Sequence, residues 1–234
     1  MSGDGATCLL TQCFCEAVRD AGIAQPANAW SSLVFVVAAI AVLPVRRLAA
    51  RRERTIIGLF AAALAAVGAG SFVFHATLDE IGQFADVWPM AALATVVLGG
   101  ALVRTGLLRA AVVVPAGCVV LAGLAGVLWA WPETRRYAFV AILLPGIVLE
   151  IWRSRMPLGS SQPAHWLWAG LGVMTAAYGV WVLDQTDLLC SPTSVLQGHA
   201  VWHVLGAIAA WCLARHWAAT SDPSGAGHGR SRSR

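Results

Sequence analysis

The chain has 234 residues, of which 58% are hydrophobic and 12% charged, and its mean hydropathy is +0.69. A soluble domain carries about a quarter charged residues, so this composition excludes a soluble globular enzyme and indicates a polytopic membrane protein. The net charge of +4 comes from 16 basic residues, all of them arginine. Arginines in short loops between apolar spans report orientation, so no nucleic-acid partner is expected.

In chain order, residues 1–27 hold polar groups and Cys8, Cys13 and Cys15, without the apolar run of a cleavable signal peptide. They are expected to form an extracytoplasmic segment. Seven segments long and apolar enough to span a bilayer follow, near 28–45, 55–77, 81–103, 107–131, 136–152, 164–184 and 196–217. The fifth is short, and Pro145-Gly146 interrupts it. The predicted fold class is therefore all-α: a seven-transmembrane helix bundle over 28–217 with short connections. Residues 218–234 are Gly/Ser/Arg-rich and are expected to be a disordered cytoplasmic tail.

The arginines divide unevenly between the two sides. Arg46, Arg47, Arg51, Arg52, Arg54, Arg104, Arg109, Arg153, Arg155, Arg215, Arg230, Arg232 and Arg234 fall on one, and Arg19, Arg135 and Arg136 on the other. The positive-inside rule puts the first group in the cytoplasm, with the N-terminus outside.

That topology brings ionisable residues to a common depth. Ser71 and His75, four apart, share a face near the outer end of the second span. Asp86 lies in the first turns of the third, and His199 and His203 lie on one face at the start of the seventh. Asp79 and Glu80 fall in the loop between the second and third spans.

Ionisable groups at membrane depth are costly and mark functional sites. Two His at i,i+4 chelate one ion, and a third completes the three-ligand site of a catalytic zinc, which leaves one position for water. In that arrangement Asp86 takes a proton from the water as general base and Ser71 donates to a developing oxyanion. H-x-x-x-H also suits haem, a quinone or plain packing, so a redox protein stays open. A metal-bearing lipid sensor without turnover stays open too. His165 and His216 fall at the cytoplasmic side as interfacial or capping residues, and His228 lies in the tail.

The order S-x3-H, D eleven residues on, then H-x3-H in the last span resembles the alkaline ceramidase family. That family sits within a superfamily of seven-span hydrolases that includes the adiponectin and progestin receptors. The surrounding text is similar as well: CEAVRDAGIAQPANAWSSLVF at 15–35, GSFVFHATLDEIGQFADVWPM at 70–90 and GHAVWH at 198–203. The resemblance implies that His75, His199 and His203 ligate zinc and that Asp86 and Ser71 serve the water and the carbonyl. The implied reaction is amide hydrolysis of an N-acyl sphingoid lipid that reaches the site from the bilayer.

There are departures from the family pattern. Val87 follows Asp86 where the family commonly has Glu. Glu16 matches one calcium ligand of eukaryotic members, but Cys13, Val18 and Gln25 stand at other ligand positions. A cation that takes six to eight oxygens is poorly served there, so zinc and not calcium is the expected cofactor.

Asn28 reads as the N-cap of the first span, with Ser31 and Ser32 following. Tryptophans 30, 88, 129, 131, 152, 166, 168 and 181 cluster near span ends as aromatic-belt residues, and Trp202 reads as packing. Cys8, Cys13, Cys15 and Cys190 share the outer side, where disulfides persist. Cys15–Cys190 is the expected pair, because it ties the N-terminal segment to the loop before the last span, although spacing alone does not fix connectivity. Cys118 and Cys212 fall within spans as free thiols.

Overall fold

A computed structural model of the chain describes residues 5–7, 14–156 and 164–221. Its helices are α1 Pro26–Ser32, α2 Val34–Leu48, α3 Arg51–Thr77, α4 Glu80–Arg104, α5 Ala110–Ala130, α6 Arg135–Ser154, α7 His165–Gln185 and α8 Gly198–Ala219. A 3₁₀ turn, Pro132–Thr134, leads into α6.

Six stretches among the described residues are long and apolar enough to cross a membrane: α1 with α2, then α3, α4, α5, the 3₁₀ turn with α6, and α7. The seventh expected span is α8. It has 22 residues, but His199, Trp202, His203, Trp211, Arg215, His216 and Trp217 dilute its apolarity, and it is not among the six. It lies against α7, α2 and α1, and more than half of it is buried. A helix shielded by neighbours does not need a lipid-compatible surface all round.

The core is formed by α2, α3 and α8, with Phe35, Val42, Ile57, Phe60, Leu64, Leu213 and Trp217 at its centre. α4 packs on α3 and carries α5 and α6 on its other flanks. α5 is the opposite case: Leu128 is its one buried residue, and Val112, Val114 and Val119 point outward. Uniform apolarity without an inner face is the pattern of a lipid-exposed helix.

Small residues set the close approaches. A Cβ at Gly70 would collide with the carbonyl of Ala85, and one at Gly68 would lie 2.8 Å from Val36 Cγ2. Glycine lets these backbones meet as larger residues could not. Because Gly70 precedes Ser71 and Ala85 precedes Asp86, the α3–α4 contact is tightest beside two predicted site residues.

Three expectations need correction. Pro145-Gly146 does not interrupt the fifth span, since α6 runs unbroken through both. Proline removes one ladder bond, and Gly146 lets this stretch press on the Leu98 backbone, which an added Cβ would approach to 3.0 Å. Asn28 is not an N-cap: the helix begins at Pro26, which places Asn28 inside its first turn. Capping falls to Glu16, whose two carboxylate oxygens accept from the backbone N–H groups of Ala27 and Asn28, both at 2.8 Å. A carboxylate there also meets the positive end of the helix dipole.

Finally, His216 is 1% exposed and not interfacial. It faces Glu150 at 3.4 Å inside a cluster that also holds Arg104 and Trp217. His165, by contrast, opens α7 and is exposed.

The N-terminal segment folds across the end of the bundle where α3 finishes. Leu78, at φ 51°, closes α3 in the left-handed conformation. Asp79 follows and caps α4 by accepting from the Gly82 N–H. Backbone bonds then join Ala6 to Leu78, Ala24 to Ala76 and Gln25 to His75. Cys15 and Cys190 form a disulfide that fastens this segment to the loop before α8, the expected pairing. Cys118 and Cys212 are free. Cys8, Cys13 and the tail from residue 222 lie outside the described residues.

Candidate metal centre

α3 and α8 bring the histidines together. His75 sits in the last turn of α3, and His199 and His203 in the first turns of α8. Each offers a ring nitrogen within 4.8 Å of the others, and all three rings are buried. Ring centroids stand 4.4 Å apart for His199 and His203, 5.0 Å for His75 and His199, and 5.5 Å for His75 and His203.

Second partners hold two of the rings. His75 Nδ1 hydrogen-bonds Gln25 Oε1 at 2.9 Å, so its other nitrogen, Nε2, is left for the centre of the cluster. His203 Nδ1 lies 2.8 Å from the Ser31 hydroxyl. Gln25 also donates to the Glu16 carbonyl, which couples the cap of α1 to the His75 ring. Asp184, at the end of α7, accepts from the His199 backbone N–H at 3.1 Å and thereby sets where α8 begins. Phe14 closes the top, stacked on His199 with centroids 3.8 Å apart.

This donor set is compatible with a zinc ion. His75 Nε2 and His199 Nδ1 are buried without a hydrogen-bond partner among the described residues. A buried orphan nitrogen costs about 1–3 kcal/mol, which a bound cation would offset. Neutral imidazoles, held from behind by an amide or a hydroxyl, are the form in which histidine ligates a metal.

Ser71 lies one turn before His75 on α3 and is 3% exposed. Its hydroxyl lies 3.1 Å from Ser32 Oγ, and it is close enough to Asp86 on α4 to act on that carboxyl group. Asp86 is half-buried, and the charge of Arg135, from the first turn of α6, acts on it. The five residues expected from the sequence therefore form two groups, a histidine trio and a Ser71–Asp86 pair, joined through one turn of α3.

Gln25, Ser31, Ser32, Asp184, Phe14 and Arg135 were not expected at the site. They act across large sequence separations, and only Ser31 and Ser32 carried a local signal, their place just after Asn28 at the start of the first span. A cavity of about 300 Å³ opens between α4 and α5 against Gln83, Phe84, Leu128 and Trp129, and none of the five expected residues lines it.

No curated protein matches the chain. A family model described as Ceramidase matches residues 11–222, from the N-terminal segment over the histidine trio to the last described residues of α8 and beyond. A match over most of the chain establishes the relationship: the protein belongs to the Ceramidase family.

Proposed function

We propose that the protein is a zinc-dependent intramembrane amidase that cleaves an N-acyl sphingoid lipid into a fatty acid and a sphingoid base. The observation that carries this reading is the buried histidine trio with two orphan ring nitrogens, one helical turn from Ser71, which acts on Asp86 of the neighbouring helix. Family membership supports the lipid-hydrolase class.

His75, His199 and His203 would hold the ion. When bound by three imidazoles, zinc supplies a water acidified to near neutral pH and a Lewis acid for the carbonyl. Asp86 accepts the proton of the attacking water at a carboxylate oxygen and delivers it to the leaving amine nitrogen. Ser71 donates to the carbonyl oxygen as charge develops there, and Ser32 keeps its hydroxyl in place. Gln25 and Ser31 hold the His75 and His203 rings. The Ser71–Asp86 pair favours turnover over a purely sensing role, because a structural zinc requires neither residue.

Seven spans with the N-terminus outside complete the proposal, with α8 as the seventh and the site near the extracytoplasmic face. The lipid reaches the site sideways from the bilayer. The test is metal analysis of the purified protein combined with mass spectrometry of an N-acyl sphingoid lipid before and after incubation. One zinc per chain and release of fatty acid are expected. A zinc-loaded protein that cleaves no N-acyl lipid would overturn the amidase reading and leave the sensor.

A further inference from the structure

The polar residues of α1 and its N-cap that face the site form a register. Gln25, Asn28, Ser31 and Ser32 lie at i, i+3, i+6 and i+7, on the face that packs on α3 and α8. Gln25 meets His75, Ser31 meets His203 and Ser32 meets Ser71. Asn28 lies in the middle of this row. Its main chain is fully used: the N–H donates to Glu16, and the carbonyl accepts from the Ser31 and Ser32 hydroxyls. Its side chain is the exception. The residue is 0% exposed, and neither Oδ1 nor Nδ2 has a hydrogen-bond partner among the described residues.

A fully buried carboxamide with both ends unpaired destabilises the fold. Leucine has nearly the same shape and would avoid that. A carboxamide presents one acceptor beside a donor pair. It suits a ligand with a donor and an acceptor close together. The substrate class proposed above has both next to its scissile carbonyl: the amide N–H and the neighbouring head-group hydroxyl.

We infer that Asn28 is a substrate-binding and specificity-determining residue, whose Oδ1 accepts the amide N–H of the lipid and whose Nδ2 donates to the adjacent hydroxyl oxygen. This rests on the amidase reading for its substrate class but adds a prediction of its own. The site selects N-acyl lipids with a hydroxylated head group over those without one, because the second kind leaves the Asn28 donor unpaired in a buried place.

The experiment compares the wild type with Asn28→Leu on two substrates of equal acyl length, an N-acyl sphingoid base and an N-acyl alkylamine lacking hydroxyls. The wild type should prefer the sphingoid lipid by about 10- to 100-fold in kcat/KM, the scale of one or two buried hydrogen bonds. Asn28→Leu should lose most of that preference, keep its zinc and melt no lower than the wild type. An unchanged preference would overturn the inference. So would a lower melting temperature with zinc loss, which would mark Asn28 as part of a structural network.

Equilibrium binding of both lipids to Asp86→Asn, with and without Asn28→Leu, separates this inference from the amidase reading. Selective binding without hydrolysis by the wild type sinks the amidase reading, and the Asn28 test still stands through the binding ratio. Hydrolysis with unchanged selectivity sinks the Asn28 inference alone. Neither binding nor hydrolysis of either lipid sinks both.

Discussion

Two buried polar clusters occupy opposite ends of one bundle. At the end where α8 finishes, Arg104 lies between Glu150 at 3.1 Å and Glu53 at 3.7 Å, donates to the Trp217 carbonyl and binds the Thr220 hydroxyl. Glu150 is met further by Trp217 Nε1 at 3.0 Å and by His216 at 3.4 Å. Charge faces opposite charge, and α3, α4, α6 and α8 are tied together. At the other end, the second ring nitrogens of His75 and His203 are occupied by Gln25 and Ser31, while His75 Nε2 and His199 Nδ1 have no partner among the described residues. The first cluster is held by ion pairs, although Glu150 Oε2 and both His216 ring nitrogens have no hydrogen-bond partner among the described residues. The second gathers three imidazoles whose ring nitrogens lie within 4.8 Å of one another, with no carboxylate among them. Orphan polar atoms occur at both ends and do not separate structure from function; whether buried groups meet opposite charge or converge on one another does.

The sharpest way to break this comparison is to remove a ligand. His75→Ala, His199→Ala or His203→Ala should each abolish stoichiometric zinc and hydrolysis, measured by metal analysis and fatty-acid release. Full zinc in any of them would mean the trio is not the site.

Asp86→Asn comes next. It should keep zinc and lose turnover by about 10²–10⁴-fold, the usual range for a general acid–base residue. Wild-type rates in this variant would remove Asp86 from the mechanism. Ser71→Ala should also keep zinc and slow hydrolysis by about 10²–10³-fold, the effect of losing one oxyanion donor.

Gln25→Leu acts one shell further out. Its expected effect is an about 10- to 100-fold weaker zinc affinity, read by chelator competition. An unchanged affinity would show that Gln25 serves only α1.

The smallest effect on the chemistry should come from the other end. Glu150→Gln leaves Arg104 poorly compensated, so the melting temperature should drop; breaking a buried pair costs about 3–5 kcal/mol. Zinc per folded chain should not change. Zinc loss from a folded Glu150→Gln protein would mean that the two ends are not independent.

The histidines and Ser71 were legible because they sit in short helical registers, S-x3-H and H-x3-H, and arginine placement supplied their common depth; Asp86 has no such register and was read from its depth and its place eleven residues after His75 in the family pattern. The Cys15–Cys190 bridge followed from the same topology. Gln25 was not legible as a partner of His75, because fifty residues separate them and only the fold of the N-terminal segment brings them together. The Arg104–Glu150 cluster was missed for a similar reason. Arg104 read as an orientation signal and His216 as an interfacial residue, yet both are buried against Glu150, which carried no local motif. Asn28 was misread because its residue type favours caps. Glu16 does that work from twelve residues away.

The central claim is a metal held by three imidazoles with one coordination position open. Zinc K-edge X-ray absorption on the purified protein tests it most directly. The account predicts three nitrogen ligands at about 2.0–2.1 Å and one oxygen, with the imidazole scattering reduced or the metal lost in His203→Ala. A sulfur ligand, a fully protein-ligated shell without the oxygen, or a protein that binds haem and no zinc would contradict it.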